Sequence, residues 1–219
     1  PDRMPWFIAA LPMNNTAEAI REVDRVLDEH NAVGFQIHSN VGGKPLDAPE
    51  FHDIFQKIAE RGKCVWLHPT RPPSHADYLT EDQSHYEMFW GIGWAYETTA
   101  AMCRMVCSGM FDKIPNFQVM AHHWGAYIPH AEGRMPLWEA RNGTMSADGR
   151  SFADDLEKPM LDYFKMFYGD TAMFGAKAQS QAGLDFFGSG NSFFATDAPY
   201  DLTGGESNIR ETIEVIESL

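Results

Sequence analysis

Polar residues that could bind a metal or transfer protons follow several short apolar runs of the chain, where strands would end. They are His38, His68, the neighbours His122 and His123, Asp170 and Asp197. Imidazole and carboxylate groups are ligands that zinc accepts, and an imidazole also moves protons near neutral pH. Two imidazoles and one carboxylate on three strand ends match an open catalytic metal site, although one ligand is missing if a histidine acts as a base.

Each of these residues also has a purely structural interpretation. A single histidine after a strand is more often a hydrogen-bonded structural residue, and Asp197 in Asp-Ala-Pro suits a turn or a helix cap. Neighbouring residues of an extended segment point to opposite sides. We therefore expect only one of His122 and His123 to face the centre of the fold, with His123 directed away from His122 into packing or a loop contact.

Short apolar runs alternate with amphipathic segments along the chain. The apolar runs predict strands at 6–11, 33–37, 65–67, 117–120, 166–168 and 192–195. Segments with helical spacing lie between and after them, at 17–30, 49–62, 87–109, within 130–164, at 176–187 and at 209–219. This alternation predicts six β–α units whose parallel strands are buried on both faces.

A doubly wound sheet and a barrel of eight units both agree with this pattern. No glycine fingerprint for a dinucleotide and no Walker sequence occurs where a Rossmann or P-loop fold would need one. In a closed parallel barrel, the polar residues after the strands would converge on the C-terminal rim, where such enzymes carry their active sites. The distribution of these residues therefore favours an α/β barrel.

The composition argues against several classes of protein. Hydrophobic residues make up 44% of the 219 residues and charged residues 22%, which is typical of a globular domain. The net charge of −14 argues against a nucleic-acid partner. We see no apolar run of about 18 residues and no signal peptide, so we expect no membrane partner and a cytoplasmic location. Three cysteines are expected to be reduced and structural: Cys64, Cys103 and Cys107.

Four segments, taken in order, resemble the amidohydrolase-related superfamily, in the branch of the aminocarboxymuconate-semialdehyde and resorcylate decarboxylases. The segments are GFQIHSNVGG at 34–43, VWLHP at 65–69, AHHWG at 121–125 with the nearby Pro129 and Gly133-Arg134, and ATDAPYD at 195–201. Each is short, but together they extend through almost the whole chain. The resemblance implies a (β/α)8 TIM barrel that binds one divalent metal, with zinc expected first and manganese as the alternative.

The resemblance also implies roles for individual residues. His68 matches the metal ligand that ends the fifth strand, and Asp197 matches the ligand that ends the eighth strand in the catalytic site. His122 matches the histidine that acts as acid or base. The family's His-x-His pair on the first strand has no counterpart in this chain. We therefore expect a single domain over 1–219 that is an incomplete barrel of about strands 3–8, lacking the first two β–α units and truncated at the N-terminus and also at the C-terminus.

Three further residues are candidates around this site. Arg134 suits a substrate carboxylate, because its guanidinium forms two parallel hydrogen bonds, and a surface ion pair is the alternative. Trp124 could stack on an unsaturated substrate, and simple packing is the alternative. Asp170 could hydrogen-bond a histidine of the site. A role in the pocket is less expected for His38, and three histidines are interpreted as solvated or structural: His75, His85 and His130.

These roles predict a metal-dependent, non-oxidative decarboxylase of an aromatic or unsaturated carboxylic acid, in which a metal-bound water and His122 move the proton. The same site would serve a hydrolase of a lactone or an amide, which is the second hypothesis. The third is an inactive fragment or a metal-free binding or structural relative, because the His-x-His pair is missing. The expected partners are a small carboxylic acid and further copies of the chain, in a homodimer or a larger homo-oligomer.

Overall fold

Six parallel strands and one small hairpin form the sheets of the molecule. A computed structural model describes residues 5–144 and 151–219, so ten residues of the domain expected over 1–219 lie outside the described part. The strands are β1 (Phe7–Ala10), β2 (Ala32–His38), β3 (Asn40–Val41), β4 (Lys44–Pro45), β5 (Cys64–His68), β6 (Val119–Ala121), β7 (Tyr168–Asp170) and β8 (Ser192–Phe193). The main sheet has the order β1–β2–β5–β6–β7–β8, and β3 and β4 pair separately as an antiparallel hairpin. The parallel α/β architecture predicted by the alternation is confirmed.

Helices connect the strands and cover the sheet. They are α1 (Thr16–Glu29), α2 (His52–Glu60), α3 (Met88–Gly91), α4 (Gly93–Cys107), α5 (Met110–Lys113), α6 (His122–Gly125), α7 (Ile128–Ala131), α8 (Met135–Ala140), α9 (Met160–Phe164), α10 (Lys177–Phe187) and α11 (Glu206–Glu217). Short 3-10 helices occur at Pro49–Phe51, Glu132–Arg134, Ala153–Asp155 and Ser189–Asn191. The helix predicted over 87–109 is divided at Ile92, whose φ of −128° is not helical.

The two faces of the sheet differ in burial. Phe35 and Ile37 of β2, and Val65 and Leu67 of β5, are fully or almost fully buried in the core that includes residues of α1 and α2. The residues that alternate with them differ in burial: Gly34 is buried, Gln36 is intermediate and His38 is exposed on β2, and Cys64, Trp66 and His68 of β5 are intermediate. The expectation that both faces are buried therefore holds for β6, where all three residues are buried, and not for the ends of β2 and β5. Because side chains alternate along a strand, the more open face carries the polar residues.

Strands β1 and β8 are the two edges of the main sheet. In the described part of the chain, β1 pairs with β2 alone and β8 pairs with β7 alone. Aromatic side chains are exposed beside both edges, Trp6 and Phe7 at one and Phe193 and Phe194 at the other. Among the helices of residues 5–144 and 151–219, none combines the length and apolar character that crossing a bilayer requires.

The three cysteines have unreactive surroundings. All three are free thiols. Burial raises the pKa of the Cys64 and Cys107 thiols to about 12 and that of Cys103 to about 11. Because the thiolate is the nucleophile and the metal-binding form, these raised pKa values favour the structural interpretation of the three cysteines.

Candidate active site

His68 is the last residue of β5, and its ring is held by the chain that follows it. The ring Nδ1 lies 2.8 Å from the carbonyl oxygen of Pro69, so Nδ1–H donates to that oxygen and the Nε2 lone pair remains available. Burial, assisted by the neighbouring histidines, lowers the pKa of His68 to about 4. His68 is therefore neutral at pH 7, which is the form of histidine that binds a metal.

His123 lies in the turn that follows β6, and its ring faces the same pocket as His68. The centroids of the two rings are 5.9 Å apart. The expectation that His123 points away from His122 is wrong, because β6 ends at Ala121 and His123 has a left-handed backbone with φ of 58°. The alternation of side chains along a strand therefore does not apply to His123. Its Nδ1 lies 2.7 Å from the carbonyl oxygen of Ala172, an arrangement that leaves Nε2 free.

Asp197 completes a group of three residues that could hold a metal ion. It follows β8, and one ligand atom from each of His68, His123 and Asp197 lies within 4.8 Å of the others. Burial raises the pKa of Asp197 above its ordinary value, Asp170 adds to this effect, and the two imidazoles of His123 and His122 oppose it. A half-buried carboxylate in these surroundings is stabilised by a nearby positive charge.

The donor set fits a divalent cation. His68 and His123 each have Nδ1 placed to donate to a backbone carbonyl, an interaction that orients a metal-binding imidazole and directs Nε2 outward. With Asp197 they supply two nitrogens and one oxygen, the ligand types of open catalytic zinc sites with three protein ligands. Both histidines and the aspartate are partly exposed, so the centre is reachable from solvent.

His122 lies beside this group and is hydrogen-bonded to Asp170. Its Nδ1 is 2.5 Å from Oδ2 of Asp170, and its ring centroid is 5.4 Å from that of His68. Its other ring nitrogen, Nε2, is buried and makes no hydrogen bond to any residue of the described ranges. This geometry suits an acid–base residue, because one nitrogen is anchored and the other is left for a ligand.

Asp170 is the last residue of β7 and is completely buried, with 0% exposure. Besides His122, it accepts hydrogen bonds from the backbone N–H groups of His123 at 2.8 Å and Ala172 at 3.2 Å. Burial alone would raise its pKa, but the hydrogen bond and charge of His122, helped by His123, keep the pKa of Asp170 below its ordinary value. Asp170 is therefore an ionised carboxylate that holds both His122 and His123, the histidine doublet.

The structure confirms the predicted position of some site residues and not of others. His68, His122 and Asp197 come together after parallel strands, as their positions predict, and their individual roles stay predictions. Trp124 is completely buried and packs on Phe187, so the interpretation as a substrate-stacking residue is wrong and simple packing is correct. Arg134 is exposed on its 3-10 helix, and its contact with a substrate stays a prediction.

His123 is the candidate ligand that the sequence interpretation missed. The only available signal was the histidine doublet itself, followed by Trp-Gly at the end of a strand. His38 is also closer to the centre than expected, because it pairs in register with His68 on the adjacent strand. Their ring centroids are 5.8 Å apart.

The chain is similar to a known enzyme family and to individual decarboxylases. A model of the amidohydrolase family matches residues 1–217. The 2-amino-3-carboxymuconate-6-semialdehyde decarboxylase of Dictyostelium discoideum is 34% identical over 129 residues, which are 58% of this chain and 34% of that protein. The gamma-resorcylate decarboxylase of Rhodococcus jostii (strain RHA1) is 28% identical over 216 residues, which are 92% of this chain and 62% of that protein.

A solved structure shows the same fold. The crystal structure of 5-carboxyvanillate decarboxylase from Sphingomonas paucimobilis matches with a TM-score of 0.77 and 25% identity, covering 95% of this chain and 62% of that chain. The chain thus spans between 34% and 62% of the length of these relatives.

Proposed function

Because the chain belongs to the amidohydrolase family, we propose that it acts as a metal-dependent, non-oxidative decarboxylase of an aromatic or unsaturated carboxylic acid. The observation that carries the proposal is the pairing of two features in one pocket: a three-residue metal-binding group and a histidine anchored by a buried carboxylate. The similarity to decarboxylases of resorcylate and carboxyvanillate supports the same reaction. The fold is of the TIM-barrel class, and its limitation to about strands 3–8 stays a prediction.

His68, His123 and Asp197 would hold the cation. A divalent cation at this position supplies positive charge that polarises a phenolic or carboxylate oxygen of the substrate. In this assignment His123 provides the third ligand from within the chain. His122 is left for proton transfer, because its Nδ1 is already engaged by Asp170.

The proton transfer follows from the His122–Asp170 pair. The carboxylate of Asp170 accepts the Nδ1–H of His122 and stabilises the ring when it carries a second proton on Nε2. Nε2–H then donates its proton to the substrate carbon that bears the carboxylate. Cleavage of the bond between that carbon and the carboxylate releases CO2, and the electron pair of the bond returns to the ring or diene.

Metal analysis and a CO2-release assay on the purified protein test this proposal. We expect about one divalent metal per chain, and CO2 release from ortho-hydroxybenzoates or from an aminocarboxymuconate semialdehyde. Elemental analysis also decides between zinc and manganese. A protein that opens lactones or cleaves amides without releasing CO2 would be a hydrolase, and a protein without bound metal would be a metal-free relative.

Substitutions separate the two roles. We expect His123→Ala and Asp197→Asn to lose most of the bound metal, because the first removes a nitrogen ligand and the second removes the negative charge of a ligand. His122→Ala should keep the metal and lower kcat on the order of 10²–10⁴-fold. The exposed loop residue His85 gives the matched control, His85→Ala. Loss of metal in His122→Ala, with normal folding, would make His122 a ligand instead.

A cytoplasmic location and assembly as a homodimer or larger homo-oligomer remain the expectations drawn from the sequence. Arg134 remains the candidate for binding the substrate carboxylate, since its exposed guanidinium can form a bidentate pair.

A further inference from the structure

We propose that a cavity of about 610 Å³ beside the metal ligand His68 holds the part of the substrate ring remote from the reacting carboxylate, and that His38 selects rings with a hydrogen-bonding substituent there. This inference rests on the proposed function, because it assigns a position to the substrate of that reaction. It adds a specificity-determining residue and the kind of substituent that this residue recognises.

The cavity lies on the same face of the sheet as the candidate metal centre. Gln36 and His38 of β2 both line it. In register, Gln36 is opposite Trp66 and His38 is opposite His68 on β5. Residues paired in register on adjacent strands project to the same side of a sheet. A molecule bound to the centre at His68 can therefore reach the cavity past His38, whose ring centroid is 5.8 Å from that of His68.

Hydrogen bonds connect the loop after His38, which lines the cavity, to the segment that follows the candidate metal ligand His68. Ser39 N–H donates to the carbonyl oxygen of His68 at 2.9 Å. Asn40 Nδ2 donates to the carbonyl oxygen of Thr70 at 3.0 Å, and Thr70 N–H donates to Ser39 Oγ at 2.9 Å. These bonds fix the loop after β2 to the loop after β5. His38 therefore has a defined distance from the metal centre, which a residue that selects substrates requires.

The chemistry of the lining suits an anionic, hydroxylated ring. None of the residues that line the cavity is acidic, although the chain as a whole has a net charge of −14. Leu11 and Met13 supply apolar walls for a ring, and the volume falls within the usual range for small-molecule pockets. Within the described residues, the side chains of Gln36 and His38 make no hydrogen bond, so they are free to bind a ligand.

His38 is the more informative of these two residues to test. It is exposed to the cavity and adjacent to the metal ligand, and an imidazole can donate to or accept from a phenolic hydroxyl. A ring that carries a hydroxyl para to its carboxylate would direct this group away from the metal centre. We therefore compare 2,4-dihydroxybenzoate, which has that hydroxyl, with 2-hydroxybenzoate, which lacks it.

Kinetics of the full-length, metal-loaded enzyme give the first measurement. We expect His38→Ala to raise the KM for 2,4-dihydroxybenzoate about 10-fold, the effect of losing one good hydrogen bond. The KM for 2-hydroxybenzoate, kcat and metal content should change less than about 2-fold. His38→Asn, which keeps a hydrogen-bonding group, should recover part of the loss, and His85→Ala should behave as wild type. Equal effects of His38→Ala on both substrates would overturn the inference.

Equilibrium binding separates failure of this inference from failure of the proposed function. Resorcinol and phenol, the products expected from the two substrates, bind without turnover. We expect the wild type to bind resorcinol about 10-fold more tightly than phenol and His38→Ala to lose this preference. Preference for resorcinol without CO2 release from either acid would support the cavity and contradict the decarboxylase proposal. CO2 release without any His38-dependent preference would support the reaction and overturn the role of His38.

Discussion

Asp170 is the residue through which the two histidines of the doublet are positioned. Its carboxylate anchors the His122 ring and the backbone of His123. Both contacts come from a side chain with no exposed surface, so solvent does not compete for them. The candidate metal centre and the candidate acid–base residue therefore share one support.

Replacing Asp170 tests this support at the level of a single residue. Asp170→Asn keeps the shape but removes the charge that fixes the His122 tautomer and stabilises its protonated ring. We expect kcat to fall about 10–100-fold, the usual effect of losing such a partner, with KM and metal content close to wild type. Steady-state rates and elemental analysis measure these quantities. An unchanged kcat would show that Asp170 only stabilises the fold.

At the scale of elements, the packing of α10 on the turn after β6 depends on one glycine. Gly183 of α10 faces the buried ring of Trp124, and a Cβ at this position would overlap the ring atoms Cγ and Cδ2. Trp124 directly follows His123, so this contact also supports the turn that presents His123 to the pocket.

Gly183→Ala should destabilise the protein although it lies inside a helix. Alanine in a helix is normally favoured over glycine by about 1 kcal/mol. Here we expect the free energy of unfolding to fall by about 1–3 kcal/mol, because the core is overpacked against Trp124. Gly190→Ala, where a Cβ meets no atom within 4 Å, is the matched control. Urea denaturation compares the two, and equal stability would contradict the expectation.

The start of α11 depends on a charged cap that the preceding loop supplies. The Asp201 carboxylate accepts N–H groups of Thr203 and Gly205 at 2.7 Å and of Asn208 at 2.9 Å. These hydrogen bonds, led by the one from Asn208, hold the pKa of Asp201 well below its ordinary value. Asp201 therefore stabilises the folded chain in its ionised form.

The pH dependence of this cap has a definite sign. A carboxyl whose pKa is lower in the folded than in the unfolded chain stabilises the fold above the unfolded pKa, near 4, and loses this effect as the pH falls further. We expect Asp201→Asn to be less stable than wild type at pH 7, with a difference that shrinks below about pH 4. Unfolding curves from pH 3 to 7 measure it, and a constant difference would exclude the charge as the cause.

At the scale of the whole molecule, the main sheet has two edges in the described part of the chain, and aromatic side chains are exposed beside both. Unpaired strand edges with aromatic side chains invite pairing with another chain. The chain covers 62% of the length of the gamma-resorcylate decarboxylase and of the 5-carboxyvanillate decarboxylase that it resembles.

The 219-residue chain on its own should therefore self-associate. We expect light scattering to give a mass above 24.7 kDa at micromolar concentration. Phe7→Lys combined with Phe193→Lys should reduce this association, because charges at an edge oppose strand pairing. Leu202→Lys, at a fully exposed loop position, should have no such effect. A monomeric wild-type chain would contradict the expectation of two open edges.

Most of the strands and helices that position the site were predicted from the sequence. Strands, helices and parallel pairing follow from local patterns of apolar residues, and the positions of His68, His122 and Asp197 after three apolar runs predict that they meet. The physical reason is that the C-terminal ends of parallel strands lie at the same end of a sheet, whatever the details of side-chain packing.

Tertiary structure alone decided the direction of the doublet and the role of Trp124. The left-handed turn at His123 is supported by Asp170, 47 residues further along the chain. Trp124 is buried because Gly183, on another helix, leaves room for its ring. The cavity beside His38 likewise forms between loops that follow three different strands. Local periodicity carries no information about such contacts, because each depends on residues that become neighbours only when the chain has folded.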